Sequence, residues 1–147
     1  MQRTGALAQW LDIEITESVA MTQPDQAREQ FNALVALGCR VALDDFGTGY
    51  SSLAYLKALP VHKIKIDKSF MDGVLTDGND AAITRAIIAL AKSLGLALIA
   101  EGVETEDQRR FLQQHGCEHY QGWLFAKAMP AADLSARMTS RIEANAM

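Results

Sequence analysis

The sequence predicts an α/β fold in which about five parallel strands alternate with helices. Apolar residues recur at every second position in some segments and at helical spacing in others, and turn residues separate these segments. Such alternation implies a parallel sheet with crossover helices. Two architectures fit it, an open doubly wound sheet and part of a (β/α)₈ barrel. Because strands this apolar need cover on both faces, we expect helices to pack on the sheet.

The strands are predicted from two kinds of pattern. Residues 11–16 and 62–67 alternate apolar and polar side chains, which is typical of a half-buried strand. Residues 40–45 and 96–100 are short apolar runs that end in or run into acids. Residues 118–121 would add a fifth, short strand.

The first helices are predicted from their ends. Pro24 begins a helical run, and Gly38 follows it as a C-terminal cap. A short helix is predicted over residues 52–59, where Pro60 stops it.

The later helices have clearer signals. Apolar residues recur at helical spacing from Ile83 to Leu94, and Gly95 ends that helix. Thr105 with Gln108 resembles a capping box, which opens a helix that closes near Gly116. The last helix is predicted over residues 131–142.

Composition indicates one globular domain. The chain has 147 residues, of which 49% are hydrophobic and 22% charged. A net charge of -4 argues against a DNA- or RNA-binding protein or a membrane-surface binder, which usually carries a basic patch. The longest apolar region, residues 81–100, is interrupted by charges and a glycine and does not predict a membrane segment. Cys39 and Cys117 are interpreted as reduced thiols of a cytoplasmic protein.

Carboxylates follow or end most of the predicted strands. They are Glu14, Glu17, Asp44, Asp45, Asp67, Glu101 and Glu104. The C-terminal ends of parallel strands lie on one face of such folds, so we expect these acids to converge. Converging carboxylates repel each other and need cations nearby. Oxygen-only ligands suit Mg²⁺ or Mn²⁺, and two such ions can clamp a phosphoryl displacement.

Several of these acids also have a purely structural interpretation. A strand-end Asp is often a cap, and Asp67 could cap the turn toward Ser69. Glu104 could be an acid favoured by a helix dipole. The adjacent pair Asp44 and Asp45, which directly follows an apolar strand, is rarer and favours a functional site.

Lys65 lies opposite Ile64 on an alternating strand. In a barrel, that side would be the interior, where a lysine needs an anionic partner, and the acids provide one. Its neighbours Lys63 and Lys68 are interpreted as solvated surface residues.

Residues 46–52 form a glycine-rich turn after the paired acids. The turn resembles a phosphate-cradling loop in composition alone, because it has neither the Walker A lysine nor the dinucleotide fingerprint. Its glycines allow unusual backbone angles, and a loop that leaves a metal site is a natural lid.

Five segments together resemble the C-terminal part of the EAL domain, the bacterial cyclic di-GMP phosphodiesterase module. They are residues 11–18 (LDIEITES), 44–53 (DDFGTGYSSL), 63–67 (KIKID), 99–104 (IAEGVE) and 121–122 (QG). The resemblance implies a partial EAL domain over residues 1–147 with the fold of a partial TIM-like (β/α) barrel. It implies hydrolysis of cyclic di-GMP to linear pGpG with two Mg²⁺ or Mn²⁺ ions.

The resemblance also implies a role for each motif residue. Glu14, Asp44 and Asp45 are implied as metal ligands, with Asp44 bridging the two ions. Lys65 is implied to orient the attacking water, and Glu101 to be a general base or metal-linked acid. The implied supporting groups are Glu104, Gln121 and Asp67. The implied lid loop and its anchor are Glu17, Phe46, Gly47, Thr48, Gly49, Tyr50, Ser51 and Ser52.

The family's Glu-Ala-Leu segment and a downstream metal-ligating Asn do not occur in this sequence; both belong ahead of Leu11. A complete barrel takes roughly 250 residues, so we expect unpaired strand edges and self-association into a homo-oligomer. We also expect a weakened ion site, with turnover only when upstream sequence is present. An upstream sensory or diguanylate cyclase domain is a further expected partner.

Two other functions remain open. A degenerate domain would bind cyclic di-GMP or a protein partner without hydrolysis, although the retained acids favour the enzyme. A response-regulator-like open sheet fits the alternation but not the number of acids at strand ends.

Overall fold

The computed structural model of the chain describes residues 5–49 and 53–145, which contain a four-stranded parallel sheet. The order of the strands in the sheet follows their order in the chain. The strands are β1 (Asp12–Thr16), β2 (Arg40–Phe46), β3 (Lys63–Ile66) and β4 (Ala97–Ala100). The parallel pairing confirms the predicted α/β class.

Helices form the connections between the strands and continue beyond β4. They are α1 (Glu17–Thr22), α2 (Pro24–Ala36), α3 (Leu53–Ala58), α4 (Lys68–Gly73), α5 (Gly78–Leu94), α6 (Glu106–His115) and α7 (Ala131–Asn145). Gly95 ends α5 in the left-handed conformation, with φ of 68°. Thr105 and Gln108 form both hydrogen bonds of the predicted capping box. These local signals therefore end α5 and begin α6 where the sequence predicts, although α5 starts at Gly78, before the apolar repeat that begins at Ile83.

Two short helices were not predicted from periodicity. Helices α1 and α4 begin immediately after β1 and after Asp67, and each has 6 residues. A helix of that length is too short to establish an apolar repeat. The chain therefore turns at once from a strand end into a helix at two places near the predicted acids.

The predicted fifth strand is reduced to one bridge. Tyr120 forms an isolated parallel bridge with Ala100. The N–H of Ala100 donates to the carbonyl of His119 at 3.0 Å, and the N–H of Gln121 donates back to Ala100 at 2.8 Å. The backbone then enters a turn after Gly122, which ends the pairing.

Alternation within the strands gives the sheet two different faces. One face is apolar and joins the core under the helices; its fully buried members include Val41, Leu43, Ile64 and Ile66. Each such burial contributes about 1.5–3 kcal/mol. The other face carries polar side chains, which are those of Asp12, Glu14, Asp44, Lys63 and Lys65. The sheet therefore presents its charged residues in rows across neighbouring strands.

A set of ion pairs lies on this polar face near the N-terminal ends of the strands. Asp12 accepts a hydrogen bond from Nε of Arg40 at 2.7 Å and a second one from the ammonium of Lys63. The side chain of Lys63 is only 17% exposed, so it is a paired residue rather than the solvated one that we expected. These contacts connect β1 to both β2 and β3.

Both cysteines, Cys39 and Cys117, are buried and free. Across the described part of the chain, the helices are all too short or too polar to cross a bilayer.

Candidate active site

The ammonium of Lys65 lies at the centre of a carboxylate cluster. Its Nζ is 2.6 Å from Oε1 of Glu101, 2.7 Å from Oε2 of Glu14 and 3.1 Å from Oδ1 of Asp44. Strands β1, β2 and β3 and the end of β4 each contribute one of these four residues. The structure thus brings three of the seven acids that we expected to converge, Glu14, Asp44 and Glu101, around one ammonium.

Lys65 is held in its charged form. Its side chain is 5% exposed, and this burial acts to lower its pKa. Hydrogen bonds to Glu101, Glu14 and Asp44 outweigh the burial, so the pKa of Lys65 lies above its ordinary value. Lys65 can therefore donate hydrogen bonds to an anion or a water, but it cannot accept a proton near neutral pH.

Glu101 has the opposite tendency. Burial raises the pKa of its carboxyl, and the charges of Asp44 and Glu14 raise it further. The hydrogen bond from Lys65 only partly offsets this effect. Nε2 of Gln121 also donates to Oε1 of Glu101 at 2.8 Å, which fixes the orientation of the carboxylate. A carboxylate with a raised pKa and a fixed orientation is suited to accepting a proton.

Asp44 and Asp45 lie in an irregular part of β2. The pairing register with β3 shifts between Leu43 and Phe46, and Asp45 adopts a left-handed φ of 54°. Adjacent side chains of a regular strand point to opposite faces, and this bulge interrupts that alternation. The short polar side chain of Asp makes the left-handed conformation tolerable.

The bulge places Asp45 among other acids. Burial raises the pKa of Asp45, and the nearby charges of Asp44 and Asp67 raise it further. Asp67 itself caps α4 by accepting from the N–H of Ser69 at 3.0 Å. Asp67 therefore has the capping role that we considered and also contributes negative charge to the site.

Glu17 is a further buried acidic residue near the site. It is 1% exposed, and its Oε2 accepts the N–H of Gly47 at 2.7 Å. A Cβ added to Gly49 would lie 3.1 Å from Oε1 of the same carboxylate. Glu17 thus contacts the first part of the glycine-rich loop, where we expected an anchor.

The beginning of that loop differs from our expectation. Phe46, which we placed in the lid, ends β2 and is packed in the core with 4% exposure. The hydroxyl of Thr48 donates a hydrogen bond to the carbonyl of Asp45 at 2.8 Å, so Thr48 contacts the end of β2. Tyr50, Ser51 and Ser52 lie outside the described residues.

Glu104 is placed beside the cluster rather than at its centre. Its Oε1 lies 2.9 Å from Nζ of Lys68, which also pairs with Asp72 at 2.6 Å. Lys68 is therefore exposed, as we expected, and it also forms two ion pairs at the surface. The i,i+4 spacing of Lys68 and Asp72 is the sequence signal that predicts part of this arrangement.

A cleft of about 360 Å³ opens next to the cluster. Its lining consists of Lys68, Glu101, Gly102, Glu104, Gln121, Gly122, Trp123 and Ala126. The indole of Trp123 is 61% exposed, and the ammonium of Lys127 lies 4.6 Å from its ring centroid. The cleft combines an acid pair, a basic group and an aromatic surface, which suits a polar aromatic ligand.

The chemistry of the donors suits hard divalent ions. The residues Glu14, Asp44, Asp45, Asp67 and Glu101 supply carboxylate oxygens against the single ammonium of Lys65, and a surplus of negative charge favours added cations. Within residues 5–49 and 53–145, no three His, Cys, Asp or Glu side chains already form a metal cage. Three of the carboxylates point at Lys65 instead.

Comparison with known proteins places this arrangement in a family. The family model of the EAL domain matches residues 1–128. MucR of Pseudomonas aeruginosa, named as a bifunctional diguanylate cyclase/cyclic di-GMP phosphodiesterase, is 48% identical over 126 residues, or 86% of this chain and 18% of that protein. The cyclic di-GMP phosphodiesterase NbdA of the same organism is 43% identical over 134 residues, or 91% of this chain and 17% of that protein. The chain therefore spans less than a fifth of the length of these relatives.

Solved structures agree with this sequence comparison. The phosphodiesterase PaMucR in complex with c-di-GMP superposes with a TM-score of 0.88 at 46% identity, over 90% of this chain and 54% of that chain. The EAL domain of Mycobacterium smegmatis DcpA gives 0.87 at 41% identity, over 95% and 63%. Klebsiella pneumoniae BlrP1 with manganese and cy-diGMP gives 0.79 at 35% identity, over 86% and 32%. The chain belongs to the EAL domain family.

Proposed function

We propose that this chain carries the catalytic face of a cyclic di-GMP phosphodiesterase, which opens the cyclic dinucleotide to linear pGpG. The observation that carries the proposal is the cluster in which Glu14, Asp44 and Glu101 surround the ammonium of Lys65. A domain without a charged active site has no need to bury a lysine among acids from three different strands. Relatives named as cyclic di-GMP phosphodiesterases support the choice of substrate.

Lys65 contributes positive charge where the reaction develops negative charge. Its raised pKa keeps it protonated, so it can donate to the attacking water or to a phosphate oxygen. Its position is fixed before substrate arrives, because three carboxylates already hold it. This preorganisation lowers the cost of arranging charge during the reaction.

Glu101 is the group that we assign to take the proton from the attacking water. Its burial and its acidic neighbours raise its pKa toward the range in which a base is effective. Gln121 keeps the carboxylate oriented through the hydrogen bond of 2.8 Å. Removal of the Gln121 amide is therefore expected to disturb the base without removing it.

The residues that would hold divalent ions are Glu14, Asp44 and Asp45. When bound, two Mg²⁺ or Mn²⁺ ions supply the charge that neutralises the phosphate and lowers the pKa of water. The surplus of carboxylates around Lys65 supports this assignment, as does the manganese named with cy-diGMP in the BlrP1 structure. The bulge at Asp45 provides the second acid next to Asp44.

Glu17 and the loop that it contacts form the proposed lid. The carboxylate of Glu17 holds Gly47, which follows the two acids of the bulge by a single residue, Phe46. Movement of the loop would therefore act directly on the segment that carries Asp44 and Asp45. We also propose that the outer edge of β1 supports self-association, since among the described strands β1 pairs only with β2.

The test is hydrolysis of cyclic di-GMP in the presence of Mn²⁺, followed by chromatography of pGpG. The chain is assayed alone and in a longer form that includes the coding sequence upstream of Met1. We expect turnover in the longer form and at least a 100-fold loss with Asp44→Asn. Asp133→Asn, an exposed acid of α7, serves as the matched control and should leave the rate unchanged.

Two outcomes would contradict the proposal. Normal turnover by Asp44→Asn would remove Asp44 from the reaction. The absence of turnover in both forms, with tight binding of cyclic di-GMP retained, would instead assign a binding module without hydrolysis.

A further inference from the structure

The side chain of Gln108 joins two parts of the structure that lie next to the candidate site. It is 8% exposed at the start of α6. Its Oε1 accepts the N–H groups of Glu104 at 2.8 Å and Thr105 at 2.9 Å. Its Nε2 donates to the carbonyl of Met71 in α4 at 2.8 Å. Both ends of the amide are therefore used, and each contacts a different element.

The acceptor side of Gln108 holds the loop of residues 101–105, which carries Glu101 and Glu104. That loop is already attached to the sheet at its beginning, since the N–H of Glu101 donates to Ile66 at 3.1 Å. Its middle is attached through Val103, whose N–H donates to the carbonyl of Gln121 at 3.0 Å. Gln108 supplies the attachment at its end.

The donor side of Gln108 holds α4. This helix is capped by Asp67 and carries Lys68, the partner of Glu104. Because α4 has only 6 residues, few bonds of its own maintain it. The hydrogen bond from the buried amide of Gln108 to the carbonyl of Met71, one of the last in α4, therefore contributes strongly to holding α4 in place.

We propose that Gln108 is a positioning residue that locks the loop carrying Glu101 and Glu104 to the helix capped by Asp67. The role in catalysis rests on the proposed function. A glutamate at this position would retain an acceptor for the N–H groups of Glu104 and Thr105, as a capping box allows. It would place a carboxylate against the carbonyl of Met71, where an N–H donor now lies.

Three variants separate positioning from simple helix capping. Gln108→Glu keeps the capping acceptor and removes the donor to Met71. Thr105→Ala removes the hydroxyl that accepts from the N–H of Gln108 at 3.2 Å and leaves the link to Met71. Gln114→Glu makes the same charge change on an exposed position of α6 and is the matched control.

The first readout is hydrogen exchange of the whole chain, which needs no activity. In Gln108→Glu, we expect amides of residues 68–77 and of the loop 101–105 to exchange at least tenfold faster than in the wild type. In Thr105→Ala, the increase should stay within α6, and Gln114→Glu should match the wild type. If Gln108→Glu, like Thr105→Ala, accelerates exchange only within α6, the proposal is wrong. If Gln108→Glu does not fold, Gln108→Met takes its place; it keeps the length of the side chain but removes both the acceptor and the donor, so faster exchange of residues 68–77 than in Thr105→Ala is its diagnostic result.

The second readout uses the form of the protein that hydrolyses cyclic di-GMP. Gln108→Glu is expected to lower kcat about tenfold with KM changed less than twofold, because the catalytic groups move while binding persists. Thr105→Ala should leave both kcat and KM within twofold of the wild type. An equal loss of kcat in Gln108→Glu and Thr105→Ala would show that Gln108 acts only as a capping residue. If the wild type has no turnover, the proposed function fails, while the exchange comparison still decides whether Gln108 locks the two elements together.

Discussion

Oε1 of Glu101 accepts hydrogen bonds from both Lys65, at 2.6 Å, and Gln121, at 2.8 Å. Lys65 comes from β3, whereas Glu101 directly follows β4. The carboxylate is therefore oriented by groups from two separate parts of the chain. This shared oxygen links the carboxylate cluster around Lys65 to the segment of Tyr120 and Gln121, which forms the isolated bridge beside β4.

Removal of the central ammonium should destabilise the fold as well as the site. Lys65→Met leaves three carboxylates without their partner, and we expect the free energy of unfolding to fall by about 2 kcal/mol at pH 7. Because the pKa of Lys65 is raised, its contribution is fully present below the ordinary lysine pKa of about 10.4. It is lost only as the pH rises through the higher value in the folded state.

Urea unfolding from pH 6 to pH 11 measures this contribution. The difference between wild type and Lys65→Met in the free energy of unfolding should stay constant to about pH 10 and narrow above it. Lys57→Met, on an exposed position of α3, is the control and should change little. Equal stability of wild type and Lys65→Met at pH 7 would contradict the cluster.

Gly47 is expected to tolerate no side chain. Its φ is 100°, and an added Cβ would lie 2.9 Å from both Cδ1 of Ile87 and Cε2 of Phe70. Gly47→Ala should therefore lower the free energy of unfolding by about 1–3 kcal/mol. Gly78→Ala is the matched control, since a Cβ there meets no atom within 4 Å. Urea unfolding measures the stability of both variants. If Gly47→Ala and Gly78→Ala were equally stable, the loop would have to rearrange freely around the added Cβ.

Because of Asp12, the free energy of unfolding should depend on pH in the acid range. Hydrogen bonding from Lys63, aided by Arg40, holds the pKa of Asp12 below its usual range despite partial burial. The associated stability is present above the ordinary pKa of about 3.9 and is lost as the pH falls through the lower, folded-state pKa. Asp12→Asn is expected to cost about 1 kcal/mol at pH 7 and less near pH 2. A difference that is the same at both pH values would argue against these ion pairs.

The sequence predicts the parts of the fold that depend on local signals. The glycine at position 95 and the pair Thr105 and Gln108 define the ends of α5 and α6, because caps act within a few residues. The convergence of Glu14, Asp44 and Glu101 also follows from the rule that parallel strands end at one edge. Both inferences need only the order of the elements.

Features that depend on tertiary contacts were not predictable in the same way. Nothing in the spacing of Asp44 and Asp45 indicates that the second acid has a positive φ, since the bulge arises from the register with β3. Lys63 and Lys68 have surface-like sequence neighbours, yet each finds an acid on another element. The capping box predicted one half of the role of Gln108 but not its second bond to α4.

The central claim is that carboxylates from separate strands hold divalent ions beside Lys65. Binding of Mn²⁺, followed by electron paramagnetic resonance of the free ion, tests it without any need for turnover. We predict that the wild-type chain binds Mn²⁺ and that Asp44→Asn weakens binding at least tenfold, whereas Asp133→Asn leaves it unchanged. Equal Mn²⁺ affinity of the wild type and Asp44→Asn would contradict the account.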